Sequence, residues 1–404
     1  MQDTPPATST GVTYHADIRP VIEARCLGCH VEGGSGPFPL DTYEAVDAFG
    51  GLVVDAVMTR RMPPWLADSS NCRKLKHDQR LTDDQLALFE QWMAEGFEEG
   101  DPATYSPIVE AQAPDIGEPT IVATAARPYQ LRANYEEYVC LELDASFPED
   151  TYVTAMDLVP EHEEFVHHAI VSSGSGRCSA LGTVAENIYS HRPGARTLVF
   201  EEGDALLIPA GSQLAVEFHY NTLFTERGAD VPTDQSALRL WTLPAGQTPQ
   251  RVITRYPFHD LTISIPVGAT DATAGGSVGM GTASSPPGGG WATGEIIGVT
   301  PHMHALGKSF NELVRKADGT EVCLIDVPDW DWEWQLDYFF TEEDVVQTER
   351  SDTLIQRCAY SNTAADQPVV DGVQQSPSFT RFGQDSADEM CLGYVWFRYN
   401  WSDL

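Results

Sequence analysis

The sequence predicts a multidomain chain in which a mainly-α domain is followed by two all-β sandwich domains. Three observations carry this. Up to about residue 105 the apolar residues recur at helical spacing. Beyond residue 118 the pattern turns into short β-rich runs separated by turn signals. The length, 404 residues, suits about two or three domains.

The helical part, residues 1–105, contains three segments. "TYHADIRPVIEARC" has helical periodicity and runs directly into a cysteine. "DTYEAVDAFGGLVVDAVMTR" is a second helix, broken by its Gly pair. "LTDDQLALFEQWMAEG" is a third, with Thr82 as N-cap, acidic residues in its first turn, and Gly96, Gly100 and Pro102 to end it. Residues 106–118, "SPIVEAQAPDIGE", lack periodicity and read as a linker. The runs that follow include "YVCLELD", "YVTAMDLV", "HHAIVSS", "ALLIPA", "LAVEFHYN", "ALRLWTL", "EIIGVTPHMHAL", "EVCLIDV" and "MCLGYVWFRY". About 285 residues of such runs exceed one small sandwich, so two are expected, over 119–230 and 231–404. Residues 270–290, rich in Gly, Ser and Pro, are expected to form a mobile loop, either a lid or a surface insertion.

Composition narrows the partners. Sixty acidic residues against 24 basic ones give a formal charge of −36, which opposes nucleic-acid phosphates and anionic lipid. No apolar run approaches the ~20 residues of a membrane span. The opening "MQDTPPATST" lacks the basic and apolar regions of a signal peptide. Several cysteines nevertheless suit an oxidising compartment. The expectation is therefore a periplasmic or secreted protein whose Met1 stands in for a removed export signal.

Within the helical part, "CLGCH" is the attachment signature of a c-type haem. Cys26 and Cys29 would form the thioethers and His30 the proximal iron ligand. A zinc site would need a second Cys/His pair nearby, and none follows. Met62 in "RRMPPWL", stiffened by two prolines, is the expected sixth ligand, with Met58 and His77 as alternatives. From "HADIRPVIEARCLGCH" through "MPPW" to the third helix, this stretch resembles a bacterial cytochrome c-like domain often fused to other redox modules.

The β-rich part carries histidines on its strands: His167 and His168 in "VHHAIV", His219 in "FHYN", His302 and His304 in "PHMHALGK". Residues i and i+2 of a strand share a face, so His302 and His304 can hold one metal. Adjacent His167 and His168 can do so only at a strand end or a bulge. Five imidazoles on strands suit copper or zinc.

These motifs, with "WEWQLDYFF", "DTLIQRCAYSN" and "DSADEMCLGYVWF", resemble the copper type II, ascorbate-dependent monooxygenases, the family of peptidylglycine alpha-hydroxylating and dopamine beta-monooxygenases. They occur in family order over most of residues 135–400. The resemblance implies two nested jelly-roll-like domains, each with one copper. His167, His168 and His219 match the all-histidine copper. His302, His304 and Met390 match the copper at which dioxygen meets the substrate C–H bond. A thioether with two imidazoles suits Cu(I), whereas zinc makes little use of methionine. The cofactors implied are two copper ions and one covalently bound haem c. The activity implied is hydroxylation of a small organic substrate with dioxygen. An external donor, ascorbate or a redox protein, would supply electrons, and the fused haem would pass them to the three-histidine copper. The alternatives are an oxidase producing peroxide and a non-catalytic haem/copper electron-transfer or sensing protein.

The pattern departs from the peptide-hydroxylating branch at two places. Thr300 stands where that branch has a carboxylate-binding Arg, and Leu392 where it has an Asn, while its Tyr is matched by Tyr394. Loss of the Arg argues against glycine-extended peptides as substrates. Trp330, Trp332 and Trp334, read as alternating along a strand, would line a pocket or fill a core. Cys358–Cys391 matches a family disulfide, and Cys140 a family half-cystine with Cys178 as partner. Cys72 and Cys323 remain, either as free thiols or as a staple between the first domain and the last.

Overall fold

The computed structural model describes residues 11–70, 72–109, 114–175, 178, 185–223, 225–281, 293–370, 373–383 and 387–400. Among these the N-terminal region has four α-helices, Arg19–Arg25, Tyr43–Ala48, Gly50–Met58 and Asp83–Ala94, the first entered through a π turn at Tyr14–Ile18. The break falls at Phe49, directly before the Gly pair, and both glycines are helical. Thr82 caps the last helix in a reciprocal capping box with Gln85. Ile18, Ile22, Val54, Phe89 and Trp92 close a separate apolar core.

The rest is β. A ten-stranded sheet runs in the order Ile121–Thr124, Ala237–Thr242, Thr151–Val159, Asp204–Ile208, Arg251–His259, Leu392–Asn400, Thr293–His302 and Tyr338–Phe339, with two short strands attached. One four-stranded sheet consists of Glu136–Glu142, Gln213–Asn221, Val166–Gly174 and Ala185–His191. It shares a core with the first half of the long sheet, through Val153, Leu206, Leu240, Val216 and Phe218. A second sheet, Ala272–Gly279, Thr353–Tyr360, Gly307–Arg315 and Glu321–Val327, shares another core with the second half. Successive strand residues face opposite ways. Trp396 therefore enters the first core while Val395 and Phe397 enter the second. One strand thus serves both sandwiches, and this joins their two histidine sites.

Three boundaries differ from the sequence expectation. Ala237–Thr242 pairs with Ile121–Thr124 and Thr151–Val159, so residues 231–242 go with the first sandwich rather than the second. Trp65, Ala67 and Leu75 lie in the core of the second sandwich, so the segment after Met62 leaves the helical region. Backbone bonds from Asp68 to Asp326 (2.8 Å) and from Lys76 to Phe339 (2.7 Å) hold it there. The expected loop at 270–290 is in part a strand, Ala272–Gly279, paired along its length with Thr353–Tyr360. Gly275, at φ +131°, lies so close to its neighbour that a Cβ would sit 2.2 Å from the Gln356 carbonyl oxygen. Glycine there is a packing requirement of a strand. Residues 282–290, where a lid was one reading, lie outside the described residues.

The cysteines pair as Cys72–Cys323, Cys140–Cys178 and Cys358–Cys391, leaving Cys26 and Cys29 unpaired. The first disulfide ties the segment leaving the helical region to the second sandwich.

Candidate metal centres

The first centre lies on the four-stranded sheet of the first sandwich. The register slips between Val166 and His168, with Val166 opposite Tyr220 and His168 opposite His219. This is the bulge that adjacent histidines need in order to turn toward one point. The three Nδ1 atoms form a triangle: His167 to His168 3.3 Å, His167 to His219 3.1 Å, His219 to His168 3.2 Å. Such a triangle has a circumradius of roughly 1.9 Å, close to an ordinary metal–nitrogen distance, so all three nitrogens can reach one ion. Burial pulls His167 down to about 4 and His168 well below the usual imidazole range. A single ion takes the lone pairs of all three nitrogens at once, so the donor set fits a metal.

The surroundings of His219 orient it. Its Nε2 pairs with Glu136 Oε1 at 2.6 Å, leaving Nδ1 for the cluster. The His219 bond holds the Glu136 carboxyl below its ordinary range. Tyr138, opposite on the next strand, stacks on the His219 ring at 4.2 Å. Adjacent strands bring these groups together, and sequence periodicity alone does not select them.

The second centre lies where Thr293–His302 meets Leu392–Asn400. His302 pairs with Leu392. Extending that antiparallel register by two residues sets Met390 opposite His304. Glu389 locks the arrangement: its carboxylate accepts the backbone N–H groups of His304 (2.9 Å), Leu306 (2.7 Å) and Met390 (3.2 Å). The His304 ring donates from Nδ1 to the Asp388 carbonyl at 3.0 Å. His302 Nδ1 bonds to Gln335 Oε1. The His302 and His304 rings stand at 88°, 5.2 Å apart. Burial, and then His304, pull His302 down to about 3. Met390 is buried with Leu392 and Tyr394, and the Cys358–Cys391 disulfide anchors the next residue. The strand ends at His302, so His304 and Met390 lie just beyond the ends of the two paired strands and not along them; two imidazoles and a thioether fit a copper donor set.

Gln335 and Glu389 were not singled out from sequence. Glu directly before the Met was a readable signal, whereas Gln335 lies in an irregular loop. That loop also corrects the reading of the three tryptophans. Trp330, Trp332 and Trp334 lie between strands and not along one. Trp330 donates its indole N–H to the His304 carbonyl at 3.2 Å. The structure thus uses this residue to brace the H-x-H segment.

A narrow cavity of about 20 Å³ lies between the two centres, lined by His168, His302, Asn187, Arg255, Thr300 and Tyr394 among others.

The haem motif ends the Arg19–Arg25 helix. His30 donates from Nδ1 to the Phe38 carbonyl at 2.9 Å, leaving Nε2 free. Gly34 and Gly36 close on it so tightly that Cβ atoms would lie 2.4 Å from the Cys29 oxygen and 2.7 Å from the His30 ring. A cavity of about 440 Å³ is lined by Arg25, next to Cys26, by Arg60, two residues before Met62, and by Arg80 and Leu81. Met62 is half-buried just beyond the Gly50–Met58 helix, whereas the alternatives Met58 and His77 are exposed. Unpaired cysteines followed by a His with a pinned Nδ1 fit a covalent haem. The motif lies against the first sandwich: Gly194 has no Cβ, and one there would be 2.8 Å from Cys29 Sγ.

Comparisons with solved structures give faint likenesses. A protein from Eubacterium rectale is 9% identical over 66% of this chain and 70% of its own, with a TM-score of 0.20. A structure of infectious bursal disease virus, Gx strain, is 7% identical over 71% and 74%, with a TM-score of 0.18. Neither carries an argument. No curated protein matches the chain. Residues 292–403 match the copper type II ascorbate-dependent monooxygenase, C-terminal domain, and this match supports a copper monooxygenase reading of the region that carries His302, His304 and Met390.

Proposed function

We propose that this chain is an exported, copper-dependent monooxygenase that hydroxylates a C–H bond of a small organic substrate with dioxygen, its electrons relayed by a c-type haem on the N-terminal region. The observation that carries the proposal is the triangle of Nδ1 atoms on one sandwich, beside a His302/His304/Met390 set on a segment matching a copper monooxygenase domain.

When bound, copper would supply one-electron storage at His167/His168/His219 and dioxygen chemistry at His302/His304/Met390, and haem c on Cys26, Cys29 and His30 would supply one-electron carriage. The chain's own groups prepare these sites. Glu136 and Tyr138 hold His219 with Nδ1 inward. Gln335, the Asp388 carbonyl and Trp330 hold the H-x-H rings and backbone. Glu389 ties the His304 and Met390 backbones together before any metal arrives, which lowers the ordering cost of binding.

The relay reading is supported by Cys29 against Gly194, three residues after the end of the Ala185–His191 strand. That strand pairs with the one bearing His168. The Cys72–Cys323 disulfide keeps the segment after Met62 on the second sandwich. Export is supported by three disulfides in one chain.

The test is metal analysis of haem-matured, copper-loaded protein, followed by turnover under heavy-isotope dioxygen. One iron, two coppers and isotope in an organic product are expected. Oxygen consumption with peroxide and no labelled product would replace the reading with an oxidase. Iron without copper would overturn it. Stopped-flow oxidation of the reduced haem tests the relay, which fails if copper does not accelerate it.

A further inference from the structure

The cavity between the two centres holds an arginine that the functional reading does not use. Arg255 lies in the Arg251–His259 strand, opposite Trp396. Its side chain is 2% exposed. The guanidinium lies over Tyr394, 4.2 Å from the ring centroid, with Trp396 at 5.0 Å. Only Nη2 has protein partners, Ser190 Oγ at 3.1 Å and Asp337 Oδ1 at 3.2 Å. Nε and Nη1 have none, so three of the five N–H bonds of a guanidinium lack an acceptor. His191, 5% exposed and lining the same cavity, has both ring nitrogens unpartnered.

Buried donors left unmade are costly, and they are rare in folded chains. Arg255 and His191, from two strands, both line one cavity that has room for about one or two water-sized groups. Asp337 does not fill the need, because it meets only Nη2 and also accepts the Thr300 hydroxyl. The missing partner is an oxygen acceptor. An anionic oxygen meets a buried guanidinium better than a neutral one, because the charge-assisted hydrogen bond is the stronger.

We propose that Arg255 and His191 form an anion-binding subsite between the two centres, sized for a carboxylate group. The guanidinium comes from the Arg251–His259 strand, separated from Thr300 by the Leu392–Asn400 strand. The carboxylate belongs either to the substrate or to a free small anion. Assignment to the substrate rests on the monooxygenase reading, whereas the existence of the subsite does not.

The experiment uses the haem-matured, copper-free chain and formate as probe, by calorimetric titration. Saturable binding is expected, weakened about tenfold or more in Arg255→Met. Arg255→Lys, which keeps the charge and loses the fork, covers the case in which the first variant fails to fold, and should bind formate with an intermediate loss. Phenylacetate and its uncharged methyl ester then separate the sources. Competition with formate by phenylacetate and not by the ester assigns the anion to a substrate, and binding of formate alone assigns it to a free ion. No saturable formate binding by the wild-type chain, or equal binding by wild type and both variants, overturns the subsite. Formate binding with no copper uptake on later loading would keep the subsite and overturn the monooxygenase instead.

Discussion

The two histidine centres differ in what holds them. In the first, a carboxylate bonds to a ligand ring: Glu136 to His219 Nε2. In the second, a carboxylate bonds to backbone: Glu389 to the N–H groups of His304, Leu306 and Met390. The first is symmetrical, with three like nitrogens about equally spaced. The second mixes nitrogen and sulfur at and just beyond the ends of two strands. A symmetrical, all-nitrogen site suits holding an electron. An asymmetrical site suits holding a copper that must also admit another ligand.

The comparison can be broken most sharply at the triangle. His219→Ala removes one of the three nitrogens, and the chain should lose one copper of two together with all measurable hydroxylation. Elemental analysis beside turnover checks this, and two retained coppers would mean that the triangle is not a metal site. Next in size is Glu389→Ala, which strands three buried N–H groups and should cost about 3 kcal/mol. Thermal unfolding of the copper-free chain reads that loss, and an unchanged melting temperature would show that the clamp is dispensable. Glu136→Ala should weaken copper at the first centre about 10–100-fold and spare the second. Competitive chelator titration separates the two sites, and equal weakening at both would dissolve the distinction drawn here.

The smallest signal is a slope. Glu312, under the strand that follows Met390, is fully buried with neither carboxyl oxygen partnered, and burial pushes it up to about 8 from 4.5. Between those values the folded chain keeps a proton that the unfolded chain has released. Its contribution is therefore complete below about pH 4.5, declines as pH rises, and is lost above about pH 8, at up to about 1.4 kcal/mol per pH unit. Glu312→Gln should flatten urea-midpoint stability over that window. A wild-type profile as flat as the variant's would place a counter-charge or water beside the carboxyl.

Much of the candidate site was legible because it is written locally. The CLGCH motif, the H-x-H pair and the Thr82 cap each depend on residues a few positions apart, and so did most strands, through composition and alternation. The bulge at His167 was legible as a condition: two adjacent rings on one ion require it. Other groups were not legible. Gln335, Glu136 and Arg255 reach their partners 33, 83 and 82 residues away. No period in the chain marks such a pairing. Residues 272–279 misled because a Gly/Ser-rich run reads as loop, while here small residues are what lets one strand lie against another.

By itself the sequence determined the local conformations and the supply of chemistry: where helices start, where strands run, which cysteines share the C-x-x-C-H motif, and which imidazoles and thioether the strands and their ends carry. These follow from steric, hydrogen-bonding and side-chain preferences that act over a few residues. Only the tertiary structure decided that both sandwiches share the Leu392–Asn400 strand, that the segment at 65–76 leaves the helical region for the second sandwich, and that a buried guanidinium stands between the two centres. Those outcomes depend on which distant apolar faces exclude water together, and burial of that kind is decided by the whole chain at once.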